Sequence, residues 1–186
     1  MNRSMLVPAA LAGTLLLPAA AAAKGPSQAS ISGGGLGKTI RVAGNGESDS
    51  TPLGSLAMQA GFYPAAYGQS PDPMLPARPQ GNLGPRLKIR YVVPGPNGKT
   101  FHISQDLYAY AQGGAVTYMK PGQPIFDMTT RGGWYRAYGL KRTLLRQGLP
   151  ARAPSGSSGM SLALLAGIPG ALVLLGTALL LRRRRV

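Results

Sequence analysis

The stretch RLKIRYVV, residues 86–93, alternates basic and apolar side chains up to its last two positions. Because successive side chains of a β-strand point to opposite faces of a sheet, this alternation predicts a strand with one buried face and a row of positive charge on the other. The segment PGPNGK, residues 94–99, is typical of a turn, and residues 100–110 are predicted as the returning strand. The sequence therefore predicts a β-hairpin at the centre of the fold.

The returning strand leaves one question of orientation open. Phe101, Ile103 and Leu107 are expected on its buried side. Tyr108 and Tyr110 are out of step with Phe101 and Ile103 unless a bulge inserts an extra residue, and without a bulge both lie on the opposite face.

Further strands are predicted on both sides of the hairpin. Residues 28–32 and 39–43 carry β-branched side chains and flank a glycine-rich turn, so they predict a pair of strands. Residues 116–119 and 133–136 are predicted as two more short strands.

Two short helices are expected. Residues 52–60 follow Thr51, a favourable N-cap, and their apolar side chains recur at helical spacing. A second helix is predicted over residues 140–147, with Gly148 as a left-handed cap. Residues 62–85 contain six prolines, which we expect to prevent a continuous helix; their apolar side chains favour an ordered wrap on the core over a mobile loop. Together the elements predict an α+β domain over residues 24–149, with a small, mainly antiparallel sheet.

The C-terminal segment predicts one transmembrane helix. Residues 160–181 are apolar and uncharged, and as a helix they would span about 33 Å, enough to cross a hydrocarbon core of about 30 Å. Residues 150–159 would form a flexible tether between the domain and this span. The basic tail, residues 182–186, contains Arg182, Arg183, Arg184 and Arg185, which are expected to hold the C-terminus in the cytoplasm.

The N-terminus predicts a secretory signal peptide over residues 1–23. Arg3 precedes an apolar core that is too short to span a bilayer, and Ala21 and Ala23 fit a cleavage site. An uncleaved anchor is the alternative. We therefore expect a single-pass protein of the cell membrane with its domain outside the cell. The chain has no cysteine, so that domain has to be stable without disulfides.

The exported segment is strongly basic, because residues 24–159 carry 15 Lys and Arg against five Asp and Glu. Outside a membrane the anions within reach are lipid head groups and wall polymers, so we expect these, and no nucleic acid, as partners. A solvated basic surface without a ligand is the alternative. The candidates for contact with an anionic surface are Arg86, Lys88 and Arg90 on the hairpin and Lys141, Arg142 and Arg146 on the second helix.

No motif predicts catalysis, a metal site or a cofactor. His102 is the only histidine and cysteine is absent, so the usual zinc ligand sets cannot form. The chain has no Gly-x-Ser-x-Gly motif, and a catalytic triad would need His102 together with an acid such as Asp106. We therefore do not expect an enzyme.

Three classes of function remain. The leading hypothesis is a noncatalytic cell-surface module that binds an anionic envelope component or an envelope protein. An accessory subunit of a membrane complex, held by the span itself, is the second hypothesis, and an envelope enzyme is the third. Ala163, Gly167 and Ala171 are spaced so that two spans could pair, but a chance spacing is favoured over a homodimer.

Several motifs resemble those of a group of bacterial envelope proteins. They are SISGGGLGKTIRV at 30–42, QDLYAYA at 105–111, VTY at 116–118 with PGQ at 121–123, and GGWYR at 132–136. In these motifs the chain resembles small, signal-peptide-bearing, single-pass membrane proteins of high-GC Gram-positive bacteria of the actinobacterial type. The resemblance implies an envelope setting and carries over no activity and no site residue.

Overall fold

The computed structural model describes residues 25–154 of the chain. The predicted signal peptide, transmembrane helix and basic tail lie outside the described residues, as do the last five residues of the predicted tether. Within residues 25–154, no helix is long and apolar enough to cross a membrane.

Within residues 25–154, eight β-strands form two antiparallel sheets. The strands are β1 (Gln28–Gly33), β2 (Ile40–Ala43), β3 (Leu87–Pro94), β4 (Thr100–Tyr108), β5 (Val116–Met119), β6 (Pro124–Ile125), β7 (Met128–Thr129) and β8 (Gly133–Arg136). The main sheet has six strands in the order β2-β1-β3-β4-β5-β8, and β6 pairs with β7 alone. The predicted α+β class with a mainly antiparallel sheet is confirmed.

The predicted hairpin is confirmed as the centre of the main sheet. β3 and β4 pair in one unbroken register, from Leu87 opposite Leu107 to Pro94 opposite Thr100. A short 3-10 helix, Pro96–Gly98, lies in the turn between them. Because no bulge interrupts this register, Tyr108 lies on the face opposite to that of Leu107. Tyr110 lies beyond the end of β4 and packs against the main core.

In the described part of the chain, three α-helices cover one face of the main sheet, which we call the inner face. They are α1 (Pro52–Gln59), α2 (Phe62–Tyr67) and α3 (Leu140–Arg146). α1 and α3 confirm the two predicted helices. Thr51 Oγ1 accepts a hydrogen bond from Gly54 N at 3.0 Å as the N-cap of α1, and Gly148 follows α3 with φ of 98°.

The helix α2 corrects the sequence prediction, which allowed two helices and none between residues 62 and 85. Pro64 is the third residue of α2. The first turn of a helix has backbone N–H groups without intrahelical acceptors, so a proline there removes no hydrogen bond and does not break the helix. The six prolines therefore exclude a long helix but not this short one.

The segment after α2, residues 69–85, forms the ordered wrap that the sequence favoured. Leu75 N donates a hydrogen bond to Trp134 O at 2.8 Å, which attaches the segment to the edge strand β8. Asp72 forms an ion pair with Arg131, and Leu83 is buried against the sheet.

A buried polar network fixes α1 on the sheet. The carbonyl of Ala60, at the C-terminal end of α1, accepts hydrogen bonds from Gln105 Nε2 at 2.8 Å and from Thr117 Oγ1 at 2.7 Å. Gln105 Oε1 in turn accepts one from the Tyr91 hydroxyl at 3.2 Å. The network satisfies a helix-terminal carbonyl inside the core, so α1 is tied to β4 and β5 by directional bonds as well as by packing.

One buried and three partly buried tyrosines are expected to set an alkaline limit on stability. Burial raises the pKa of Tyr63, Tyr91 and Tyr110, and it raises the pKa of Tyr67 to about 12. Unfolded phenols ionise near pH ~10. These phenols stay neutral to a higher pH in the folded chain than in the unfolded chain. Their contribution to the free energy of unfolding is therefore complete below pH ~10 and is lost as the pH rises towards 12.

Urea unfolding at a series of alkaline pH values, followed by circular dichroism, checks this prediction. Tyr67→Phe removes one phenol whose ionisation is coupled to unfolding. The free energy of unfolding of this variant should therefore fall less steeply with pH than that of the native chain. Equal slopes for the two proteins would contradict the assignment of Tyr67 to this group.

Candidate functional site

The outer face of the main sheet, on the side away from the three helices, carries a row of polar and basic side chains. The register places Ser30 between Arg41 on β2 and Arg90 on β3, and it places Arg90 opposite Ser104 on β4. Neighbouring strands are about 4.8 Å apart, so the backbones at Arg41 and Arg90 are about 10 Å apart. Both arginines are exposed.

A second row lies one pleat further along the same face. Lys88 sits between Ser32 on β1 and Asp106 on β4, and Tyr118 on β5 continues the row. Asp106 Oδ2 lies 3.7 Å from Nη1 of Arg86, and the two side chains are 20% and 65% exposed. An ion pair this open to solvent contributes little to stability, so Asp106 mainly lowers the local positive charge.

The balance of charge on this face is strongly positive. Asp106 is the one acidic residue among the outward-facing positions of the described strands. The basic outer face, as we name it, consists of Arg41, Arg86, Lys88, Arg90 and Lys120.

A hollow of about 330 Å³ lies within the basic outer face, between β3, β4 and the turn after β5. Its lining side chains are Lys88, Ser104, Asp106, Tyr118, Lys120 and Gln123. Gln123 closes one side by bonding to β4 where β5 has ended: Ser104 N donates to Gln123 Oε1 at 2.7 Å, and Gln123 Nε2 donates to Ser104 O at 2.9 Å. The hollow therefore has a fixed wall, with two lysines, one carboxylate, two hydroxyl groups and an amide around it.

Aromatic rings border the basic outer face towards β8. The rings of Tyr118 and Trp134 lie 4.6 Å apart, and those of Tyr108 and Trp134 lie 5.9 Å apart. Leu83 of the wrap packs beside Tyr108 and Trp134 and covers Val116. The β8 end of the outer face is thus apolar and partly covered, and the β2 end is basic and open.

The structure separates the six residues that the sequence proposed as contacts into two groups. The first group lies on the outer face and consists of Arg86, Lys88 and Arg90; Lys88 is half-buried and the other two are exposed. The second group lies on α3 and consists of Lys141, Arg142 and Arg146; Lys141 is half-buried and the other two are exposed. Since α3 packs on α1 and Thr143 bonds to Gln59 there at 2.8 Å, the two groups belong to different layers of the fold.

Two cations of the basic outer face were missed in the sequence. Arg41 stands between the buried residues Ile40 and Val42, so the same alternation that identified β3 could have found it. Lys120 lies just beyond the end of β5, and only the turn that returns through Gln123 brings it to the hollow.

Potential catalytic groups on this face do not form a relay. His102, Ser104 and Asp106 share the outward side of β4, where same-side neighbours are about 7 Å apart along the strand. Within residues 25–154, no hydrogen bond joins any two of the three, and Asp106 is paired with Arg86 instead. In the same range, no group of three or more His, Cys, Asp and Glu could hold a metal ion.

Comparison with known proteins adds no assignment to this geometry. No protein-family model, no curated protein and no solved structure matches the chain. The basis for a function is therefore the chemistry of the outer face.

Proposed function

We propose that the chain is a noncatalytic module of the bacterial cell envelope that binds an anionic polysaccharide through the basic outer face. A transmembrane helix at residues 160–181 would anchor it, with the domain outside the cell and the C-terminus in the cytoplasm. The apolar run and the four arginines that follow it support this topology. The accessory subunit and the enzyme remain alternatives without a structural observation of their own.

One observation carries the proposal. Five cations and a single carboxylate share one open face of a sheet whose other face is covered by helices. A sheet face of this kind can lie along an extended polymer, and strands position three of its cations, Arg41, Lys88 and Arg90. Arg86 and Lys120 lie just outside the ends of β3 and β5. Each basic residue near an anionic surface contributes about 1 kcal/mol, so several together give useful affinity.

The side chains that line the hollow favour a polysaccharide over a ligand that is bound by charge alone. Lys88 and Lys120 supply charge for a carboxylate or phosphate group of a polymer. Ser104 and Tyr118, which line the same hollow, offer hydroxyl groups that can exchange hydrogen bonds with sugar hydroxyls. An acidic envelope protein is the competing partner.

Binding of the full chain to polygalacturonate tests the proposal. The chain is kept in micelles of an uncharged detergent, and its binding to the labelled polymer is followed by fluorescence anisotropy over a range of salt concentrations. We expect binding that weakens steeply as salt shortens the Debye length to about 8 Å, and no binding to uncharged dextran. The triple variant Arg41→Gln, Lys88→Gln, Arg90→Gln should bind about a hundredfold more weakly.

A second triple variant controls for net charge. Lys99→Gln, Arg146→Gln and Arg152→Gln remove the same charge from exposed positions off the outer face. We expect this variant to keep nearly the native affinity. Equal losses in the two variants would show a diffuse charge effect and contradict the proposal, and binding of neither polymer by the native chain would favour a protein partner.

A further inference from the structure

A second hollow, of about 240 Å³, lies at the corner where β8 leads into α3. Three cationic side chains line it: Arg136 from the end of β8, and Lys141 and Arg142 from the first turn of α3. The remaining lining comes from residues 114–115 and 137–139 and contains no acidic side chain. Three cations thus surround a single concave site.

Two of the three cations have neighbours that position the side chain but do not neutralise its charge. Arg136 Nη1 donates a hydrogen bond to the carbonyl of Gly113 at 3.1 Å, and Lys141 Nζ lies 5.0 Å from the centre of the Tyr110 ring. The two ion pairs of the described residues, Arg86 with Asp106 and Arg131 with Asp72, do not include the three cations. Moreover, the sequence contains no Asp or Glu after Asp127.

Three uncompensated cations around a hollow repel one another, and a bound anion would relieve this repulsion. Guanidinium groups match the oxygens of a phosphate in geometry, and an ammonium group adds a further donor. The hollow is several times larger than the about 30 Å³ that a water molecule occupies in the liquid, so a phosphate group has room to enter.

We propose that Arg136, Lys141 and Arg142 form a phosphate-binding site that is separate from the basic outer face. Two sources of phosphate fit this chemistry, a phospholipid head group and free inorganic phosphate. The site would recognise the phosphate oxygens in both cases.

The position of the hollow favours the lipid, provided that the proposed anchor is correct. The Tyr110 hydroxyl, whose ring lies below Lys141, donates a hydrogen bond to the carbonyl of Pro150 at 2.7 Å. The chain therefore passes next to the hollow on its way to residue 154. The five residues 155–159 can span at most about 18 Å, so an anchor at 160–181 would keep the site near the head groups. Tyr138, at the rim, is 79% exposed, and tyrosine is favoured at membrane interfaces.

Calorimetric titration of the full chain in maltoside micelles, which contain no phosphate, tests the site with two ligands. One arm uses inorganic phosphate, and the other uses monomeric dihexanoyl phosphatidylglycerol. We expect saturable binding of at least one ligand. Lys141→Gln and Arg142→Gln should each weaken it about tenfold, as expected for loss of one charge-assisted hydrogen bond. The control variant Lys99→Gln, changed at an exposed position in the hairpin turn, should bind phosphate as the native chain does.

Each outcome decides the proposal. Lipid binding that requires Lys141 and Arg142 identifies the head group as the source, and binding of inorganic phosphate alone identifies free phosphate. Absence of binding in both arms, or a loss in Lys99→Gln equal to that in Lys141→Gln, would overturn the site. Because polygalacturonate binding depends on the other triple of residues, failure here leaves the proposed function standing.

Discussion

Ile89→Asp is expected to unfold the domain. Ile89 is fully buried at the middle of β3, which is paired on both sides, with Ile31 opposite on β1 and Gln105 on β4. The buried residues of the described core include no charged side chain, so the new carboxylate would have no partner. An unpaired buried charge costs several kcal/mol, against a total stability of about 5–15 kcal/mol for a typical domain.

The neighbouring residue provides the control. Arg90→Asp places the same side chain on the same strand, but on the exposed outer face, and should change the free energy of unfolding by about 1 kcal/mol or less. Urea unfolding of both variants, followed by circular dichroism, gives the comparison. A cooperatively folded Ile89→Asp variant would show that the inner and outer faces of β3 have been exchanged.

Gly61→Ala should give the second large loss of stability. Gly61 joins α1 to α2 with φ of 68° and ψ of 31°, a left-handed conformation that costs other residues about 1–2 kcal/mol. Its added Cβ would also lie 2.8 Å or less from atoms of the Tyr135 ring, so β8 or α2 would have to shift. Overpacking of this kind typically costs about 1–3 kcal/mol more.

Gly98→Ala separates these two costs. Gly98 lies in the turn of the hairpin with nearly the same φ, 73°, but a Cβ added there meets no atom within 4 Å. We expect Gly98→Ala to lose about 1–2 kcal/mol from backbone strain alone, and Gly61→Ala to lose clearly more. Thermal unfolding of the two variants measures the difference, and equal losses would show that Tyr135 does not pack on Gly61.

Local patterns in the sequence were sufficient to predict most strands. β3 could be identified because Leu87, Ile89 and Tyr91 alternate with basic residues, and the turn before Thr100 fixed its partner strand. The order of the sheet could not be predicted, since β1 pairs with β3 as well as with β2 and more than 50 residues separate β1 from β3. Such long-range pairing depends on packing that no local pattern records.

The errors of the sequence prediction have definite physical causes. α2 was missed because proline was taken as a helix breaker without regard to its position in the first turn. The β6–β7 hairpin has two residues in each strand, too few for an alternation to be visible.

The candidate site was predicted only in part. The alternation of basic and apolar residues placed Arg86, Lys88 and Arg90 on one face of β3. It could not show that α3 lies in the helical layer, on the opposite side of the sheet. Arg136 was not recognised as a partner of Lys141 and Arg142, because the hollow that they share forms only when α3 folds back beside β8. Charge alone predicted an anionic ligand, and the topology placed the candidate cations in different layers of the fold.

Protection of individual lysines by bound polymer tests the central claim most directly. The full chain is acetylated at limiting reagent, with and without saturating polygalacturonate, and the modification rate of each lysine is measured by mass spectrometry. We predict slower modification of Lys88 and Lys120, which line the hollow of the outer face, and an unchanged rate at Lys99, which is exposed in the hairpin turn. Unprotected Lys88 and Lys120, or equal protection of Lys99, would contradict binding through the outer face of the sheet.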